Sequence, residues 1–234
     1  MPPFLFKHFS ISQNRSALKV GTDAMLLGAC IISENERLGL DIGTGTGVLS
    51  LMVVQKNPTI QIDAIELDNE SSIDCQENFT HSNWSERLST ISADFLHYSF
   101  DKKYDLIFSN PPFYQNSLVN ENHRTAVSKH AVHLPFELLF EKVSKLLTDK
   151  GCFWLIFPFD DFEKVTLLGK ANGLFIENKI TIESKLTVST RVILSFRKTI
   201  NQVSEKIVVI RNLDNSFSDD YIELTKDFHG KKLQ

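Results

Sequence analysis

The segment RLGLDIGTGTGVLSLMVVQKN (37–57) limits most tightly how this chain can fold. A short apolar run ends in a turn with three glycines at alternate positions, and apolar residues then follow at helical spacing. Such a turn joins a strand to a helix. The alternation repeats. IQIDAIELD (60–68) reads as a second strand and NESSIDCQENFTHS (69–82) as a helix with a polar face. RLSTISAD (87–94) and KYDLIFSN (103–110) are the third and fourth strands. PFELLFEKVSKLLT (135–148) is an amphipathic helix with Pro135 in its first turn. GCFWLIFP (151–158) is a fifth strand, nearly apolar throughout, as a strand covered on both faces must be. Strands separated by helices at this interval pair in parallel through right-handed crossovers, which predicts a three-layer α/β fold.

After Gly173 the pattern changes. NKITIESK, RVILSFRKT and KIVVIR are strand-like runs without helices between them, so the sheet should acquire an antiparallel edge, and DDYIELTKDFHG (219–230) is a closing helix. Ahead of residue 37, Phe4, Phe6 and Phe9 read as an arm packed on the core. A helix follows from Thr22 to Ile32, with Thr22 or Asp23 as its N-cap. No linker marks a second domain. The expectation is one domain over 1–234: an N-terminal arm and helix (1–36), an α/β core (37–174), and C-terminal strands and helix (175–234).

Composition excludes several classes. Of the 234 residues 42% are hydrophobic, with no low-complexity tract, no apolar stretch long enough for a membrane span and no secretion signal at the start. Cys30, Cys75 and Cys152 are isolated, which gives neither a disulfide framework nor a zinc spacing and points to a reducing, cytoplasmic setting. The net charge of -4 conceals an asymmetry. Residues 31–110 hold five Lys/Arg against thirteen Asp/Glu, whereas residues 179–211 hold seven Lys/Arg against two Glu. Only the second stretch could attract a polyanion, although solvated strand faces would explain it equally well.

Gly43, Gly45 and Gly47 let the backbone turn tightly and approach a ligand. A dinucleotide fingerprint would need glycine at position 48, where the chain has Val48, and this speaks against a nicotinamide-dependent oxidoreductase. Glu66 and Asp94 end the second and third strands, where open α/β sheets bind ligands. The fourth strand ends in Asn110, Pro111, Pro112 and Phe113. Two prolines cannot extend a sheet ladder, so NPPF is either a strand-terminating turn or a built surface.

LDIGTGTG, Glu66, Asp94 and NPPF, in that order, resemble the motifs of class I S-adenosylmethionine-dependent methyltransferases. The resemblance runs over most of the chain, from about Phe4 into the C-terminal strands. More narrowly, KVGTDAMLLGA (19–29) ahead of LDIGTGTG is similar to the bacterial tRNA1(Val) (adenine-N6)-methyltransferases, which modify adenine-37 just 3′ of the anticodon. The resemblance implies a Rossmann-like sandwich on a mostly parallel seven-stranded sheet with an antiparallel C-terminal edge. It implies that Gly43, Gly45 and Gly47 pass under the methionine part of S-adenosylmethionine, with Asp41 orienting the turn or the cofactor's ammonium. Glu66 would hold the ribose, and Asp94 would read the adenine amine. Thr22 and Asp23 would stand near the amino-acid end, although helix capping alone explains both. A monomer acting on tRNA, with no metal and no membrane, is the expectation.

NPPF suits this chemistry. An aromatic amine is a weak nucleophile because its lone pair is delocalised into the ring. Two acceptors on its N–H bonds, the Asn110 side-chain carbonyl and the Pro111 backbone carbonyl, favour a pyramidal nitrogen aimed at the methyl group. Pro112 stiffens the motif, and Phe113 would stack on a base. Residues 114–134 form a long polar connection in which Arg124 and Lys129 could meet RNA phosphates. His130 and His133 lack a third metal ligand. Arg191, Arg197, Lys198 and Lys206 are plausible backbone contacts. Competing substrates are a protein glutamine amide (N5), a ribosomal RNA base and a DNA adenine. A non-catalytic RNA-binding module is a competitor from another class.

Overall fold

The computed structural model describes residues 2–112 and 134–230. Their central feature is an eight-stranded sheet made of β3 (Leu38–Ile42), β4 (Gln61–Glu66), β5 (Leu88–Ser92), β6 (Tyr104–Ser109), β7 (Leu147–Pro158), β8 (Phe175–Lys185), β9 (Ser189–Arg197) and β10 (Ser204–Arg211). A separate short hairpin, β1 (Phe4–Leu5) with β2 (Ser10–Ile11), precedes it. The strand order in the sheet is β10-β8-β9-β7-β6-β3-β4-β5. From β5 to β7 every pairing is parallel, with β3 beside both β4 and β6.

The sheet has eight strands where seven were expected, and the expected antiparallel pairing at its C-terminal end is present. β9 is antiparallel to both β7 and β8, while β10 runs parallel to β8. Only β9 therefore opposes the rest. It is enclosed by neighbours, and the true edge strand, β10, points the same way as the core.

Helices cover both faces. α1 (Thr22–Cys30), α2 (Val48–Lys56), α3 (Asn69–Thr80) and α6 (Asp219–Thr225) contribute to one apolar cluster, and α4 (Phe136–Leu146) with α5 (Phe162–Ala171) to the other. β7 feeds both. Cys152, Trp154 and Ile156 enter the first cluster and Phe153, Leu155 and Phe157 the second, as the two-residue period of a strand requires. Burying each such side chain contributes about 1.5–3 kcal/mol, which explains the uninterrupted apolar run.

Three local differences from the sequence pattern have physical causes. The N-cap of α1 is Gly21, without a side-chain cap, so Thr22 is the first helical residue and not the cap. α4 stops at Leu146 because Leu147, fully buried, already pairs with Tyr104 and starts β7 four residues before the apolar run. α5 lies in a stretch that carried no expectation.

The N-terminal arm is held by α3. Asp74 accepts from the Arg15 and Ser16 amides at 2.9 Å each, from Ser16 Oγ at 3.0 Å and from the Arg15 guanidinium at 3.1 Å. Asn78 pairs with both backbone groups of Ser12 and also donates to the Thr46 carbonyl, so one helix fastens the arm and the glycine turn together. Replacing Asp74 by Ala leaves the two amides without their acceptor. The variant should lose about 2–4 kcal/mol of stability, read as a lower urea midpoint with an unchanged denaturant slope.

Candidate active site

The parallel strands end together on one side of the sheet, and a cleft opens there. It is lined by Gly43, Glu66, Asp94, Ser109, Pro111 and Pro112, among others. Its floor is the turn leaving β3. The Gly43 and Thr44 amides donate to the Ile65 carbonyl at 2.9 and 3.2 Å, which seats the turn on the end of β4. Gly43, Gly45 and Gly47 have φ of 67°, 56° and 81°, the left-handed region that favours glycine.

The three glycines do not share one role. A Cβ at Gly43 or Gly45 would meet no atom within 4 Å, so bare backbone faces open space at both. A Cβ at Gly47 would fall 2.5 Å from Phe79 and 3.0 Å from the Cys75 sulfur. Gly47 is the N-cap of α2, and its small size lets α3 pack closely.

Three acids surround this floor, each in a different state. Asp41 is fully buried under α2, where Oδ2 accepts from Thr44 Oγ1 at 2.6 Å and Ser50 Oγ at 2.7 Å, while Oδ1 has no hydrogen-bond partner. Burial pushes its carboxyl up to about 6, against the pull of the two hydroxyls. Glu66 is also buried. Its Oε2 accepts from the Gly45 amide at 2.7 Å and its Oε1 from the Asp68 amide at 2.9 Å. Burial raises its pKa, and those amides resist the rise. Asp94 is more open. Burial acts upward on it, but bonds from His97 Nδ1 at 2.7 Å and the Leu96 amide at 2.8 Å outweigh that and hold it below the usual carboxylate range.

Opposite the acids stands the end of β6. Ser109 Oγ donates to the Ile42 carbonyl at 2.8 Å and locks the ends of β6 and β3 together. Pro111 is buried and Pro112 half-buried, both on the cleft wall, with half-buried Asn110 between them and the strand. Phe113, Arg124 and Lys129 lie outside the described residues.

The other expected residues separate. Asp23, in the first turn of α1, accepts from Arg191 Nε at 2.9 Å. Arg191 is paired with Pro158 at the end of β7, so it stands on the cleft side of the sheet. Arg197 and Lys198 stand on the far side. Arg197 is clasped by Glu177 and the Lys150 carbonyl, and Lys198 donates to the carbonyl of Leu147, where β7 begins. Thr44, Ser50, Ser109 and His97 were missed in the sequence, although the hydroxyls three and nine residues past Asp41 and the histidine three past Asp94 carried a faint signal. Among the described residues no group of three or more His, Cys, Asp or Glu side chains could hold a metal, and no helix is long and apolar enough to cross a membrane.

Residues 15–157 match the methyltransferase small domain family. The chain belongs to that family. It is a methyltransferase whose methyl donor is S-adenosylmethionine. A protein of Flavobacteriaceae bacterium (strain 3519-10) named tRNA1(Val) (adenine(37)-N6)-methyltransferase is 35% identical over 98% of this chain and 99% of its own. A protein of the same name from Bacteroides fragilis (strain YCH46) is 33% identical, with 98% of each chain covered. Among solved structures, a methyltransferase from Pyrococcus furiosus superposes with a TM-score of 0.60 at 18% identity, covering 82% of this chain and 90% of that one. A predicted O-methyltransferase from Agrobacterium tumefaciens gives 0.69 at 13%, covering 88% and 96%. These two likenesses are of fold alone. The donor set fits the cofactor of this methyltransferase: an open backbone cradle at Gly43 and Gly45, two strand-end carboxylates, and a buried oxygen on Asp41 without a partner.

The raised Asp41 carboxyl has a thermodynamic consequence. Its stabilising contribution is complete below its ordinary value of 3.8 and is lost as pH rises through about 6. The difference in unfolding free energy between wild type and Asp41→Asn should therefore move against wild type between pH 4 and 6, by on the order of 2–3 kcal/mol. Urea titrations at half-unit pH steps would read it, and a constant difference across that range would refute the assignment.

Proposed function

We propose that this enzyme methylates the N6 amine of an adenine in tRNA, namely adenine-37 of tRNA1(Val), beside the anticodon. One juxtaposition carries the proposal: Pro111 and Pro112 line the same cleft as Gly43, Glu66 and Asp94. The names of relatives that match nearly the whole chain support the substrate. A cytoplasmic setting follows from that substrate.

S-adenosylmethionine, when bound, supplies a methyl group on a sulfonium centre. The residues of the chain do the rest. Gly43 and Gly45 offer bare backbone where a side chain would intrude. Glu66 is fixed by two amides and retains lone pairs for a pair of hydroxyls. Asp94 is held ionised and accepts from an exocyclic amine. Asn110 and the Pro111 carbonyl accept the two N–H bonds of the target amine and turn its lone pair out of the ring. Ser109 keeps the β6 end seated on β3, so this acceptor pair holds its place relative to the turn. The adenine enters unstacked, which costs least in a single-stranded loop. No strong base is needed, because the amine becomes acidic once methylated.

Transfer of a labelled methyl group to total tRNA, followed by nucleoside analysis, tests the reaction. Labelled N6-methyladenosine is expected. Label in protein or ribosomal RNA alone would refute the substrate. Asn110→Ala should lower kcat by at least 100-fold, about 3 kcal/mol of barrier, while cofactor affinity stays within a few-fold. Wild-type turnover by that variant would remove Asn110 from its role.

The two kinds of glycine predict a second split. Gly45→Ala should weaken cofactor binding by tenfold or more at a cost of about 1 kcal/mol in stability. Gly47→Ala should instead lower stability by several kcal/mol, since strain and overpacking coincide there. Calorimetric titration and thermal unfolding of both variants distinguish the two effects.

A further inference from the structure

We infer that the β8–β9 hairpin, with the end of β10 beside it, is a docking surface for the RNA flanking the target adenine. This rests on the tRNA reading above and adds the surface that reading lacks. β8 runs with the core strands and β9 returns against them, so the turn between Lys185 and Ser189 stands on the cleft side of the sheet. At 4.8 Å per strand the hairpin lies roughly 10–15 Å from the end of β6, and the end of β10 roughly 19 Å. Those distances suit neighbouring nucleotides, not the target base.

The turn is built to hold a fixed shape. Thr187 has φ +67°, a strained value for a β-branched residue. Its amide is secured by Glu183 Oε2 at 2.7 Å, and Ser184 with Lys185 closes the turn through backbone bonds to Val188. That shape presents Leu186 at 61% exposure and Val188 at 52%. Two apolar side chains on a rigid tip suit insertion against unstacked bases.

Charge selects the partner. The Lys185 ammonium makes no hydrogen bond or ion pair among the described residues. Lys185 stands in register with Arg211, whose guanidinium stacks 4.3 Å from the Phe217 ring and meets a carbonyl, that of Asn215, not a carboxylate. On β9, Arg191 lies opposite Ile182, nearer the cleft, with Asp23 as its ion-pair partner. Glu183, the acid inside the hairpin, is turned onto the Thr187 amide. Asp160 and Asp161 follow β7, the strand between hairpin and cleft. The phosphate chain is therefore expected over β9, β8 and β10, with bases or sugars facing β7.

The test uses the full-length enzyme with total tRNA, comparing wild type, Leu186→Asp and the double variant Lys185→Ala/Arg211→Ala. Leu186 and Arg211 are exposed and Lys185 is half-buried, and none of the three belongs to the cleft. Each should raise KM for tRNA about tenfold, with cofactor affinity and melting temperature unchanged. The double variant should also flatten the slope of log affinity against log salt by about 1 for each cation removed. Wild-type KM and salt slope in both variants, with wild-type enzyme labelling tRNA normally, would overturn the docking surface and leave the function intact. A matched loss of cofactor affinity or melting temperature would also overturn it, by showing a structural effect. If wild-type enzyme puts no label into tRNA, the function fails and the docking surface with it.

Discussion

The turn from Gly43 to Gly47 is fixed from three directions, and every other part of the cleft takes its position from it. From below, Asp41 gathers Thr44 and Ser50 onto one oxygen. From the side, the end of β4 supplies the Ile65 carbonyl and the Glu66 carboxylate. From the arm, Asn78 bonds the Thr46 carbonyl and both backbone groups of Ser12. Each bond contributes about 1 kcal/mol net, but an unmade one would leave a buried group unpaired at a larger cost. The turn thus has one low-energy shape, and the same bonds that hold it also place Glu66. A carboxylate that secures the floor and faces the cleft links binding to folding at a single residue.

That coupling explains how much of the site could be read from the chain. The strand–glycine–helix order, the strand-end acids and the proline pair are local patterns, and a parallel sheet brings all carboxyl ends to one side whatever the details. What escaped notice depends on non-local partners. Nothing near Asp23 announces Arg191, 168 residues away. Gly47 has the same spacing as Gly43 and Gly45, and only the approach of Phe79 and Cys75 gives it a different function. β7 begins in the polar run LTDKG, which has no strand periodicity, because pairing with β6 outweighs propensity there. α5 has apolar residues at helical spacing (Phe162, Val165, Leu168), and it is short enough for that signal to be overlooked.

The antiparallel pairing expected after Gly173 falls on β9 alone, and it sorts the basic C-terminal stretch into two populations. Because β9 runs against its neighbours, its first cation, Arg191, reaches the cleft side, and its last, Arg197, reaches the opposite side with Lys198. β8 and β10 run the other way, so their final cations, Lys185 and Arg211, join Arg191. The far-side charges are largely neutralised, Arg197 by Glu177 and Lys198 by Asp149, with Lys179 against Glu205 midway along β8; on the cleft side Asp23 pairs with Arg191, which leaves Lys185 and Arg211 without a carboxylate partner among the described residues. A surplus of positive charge in the sequence therefore becomes a gradient across the sheet, strongest where the strands end. Long-range attraction of a polyanion depends on that spatial arrangement and not on the net charge of -4. An acidic protein can accordingly steer RNA to one face, provided its acids are drawn inward. Asp41, Asp74 and Glu66, buried and hydrogen-bonded to the backbone or to hydroxyls, are acids of that kind.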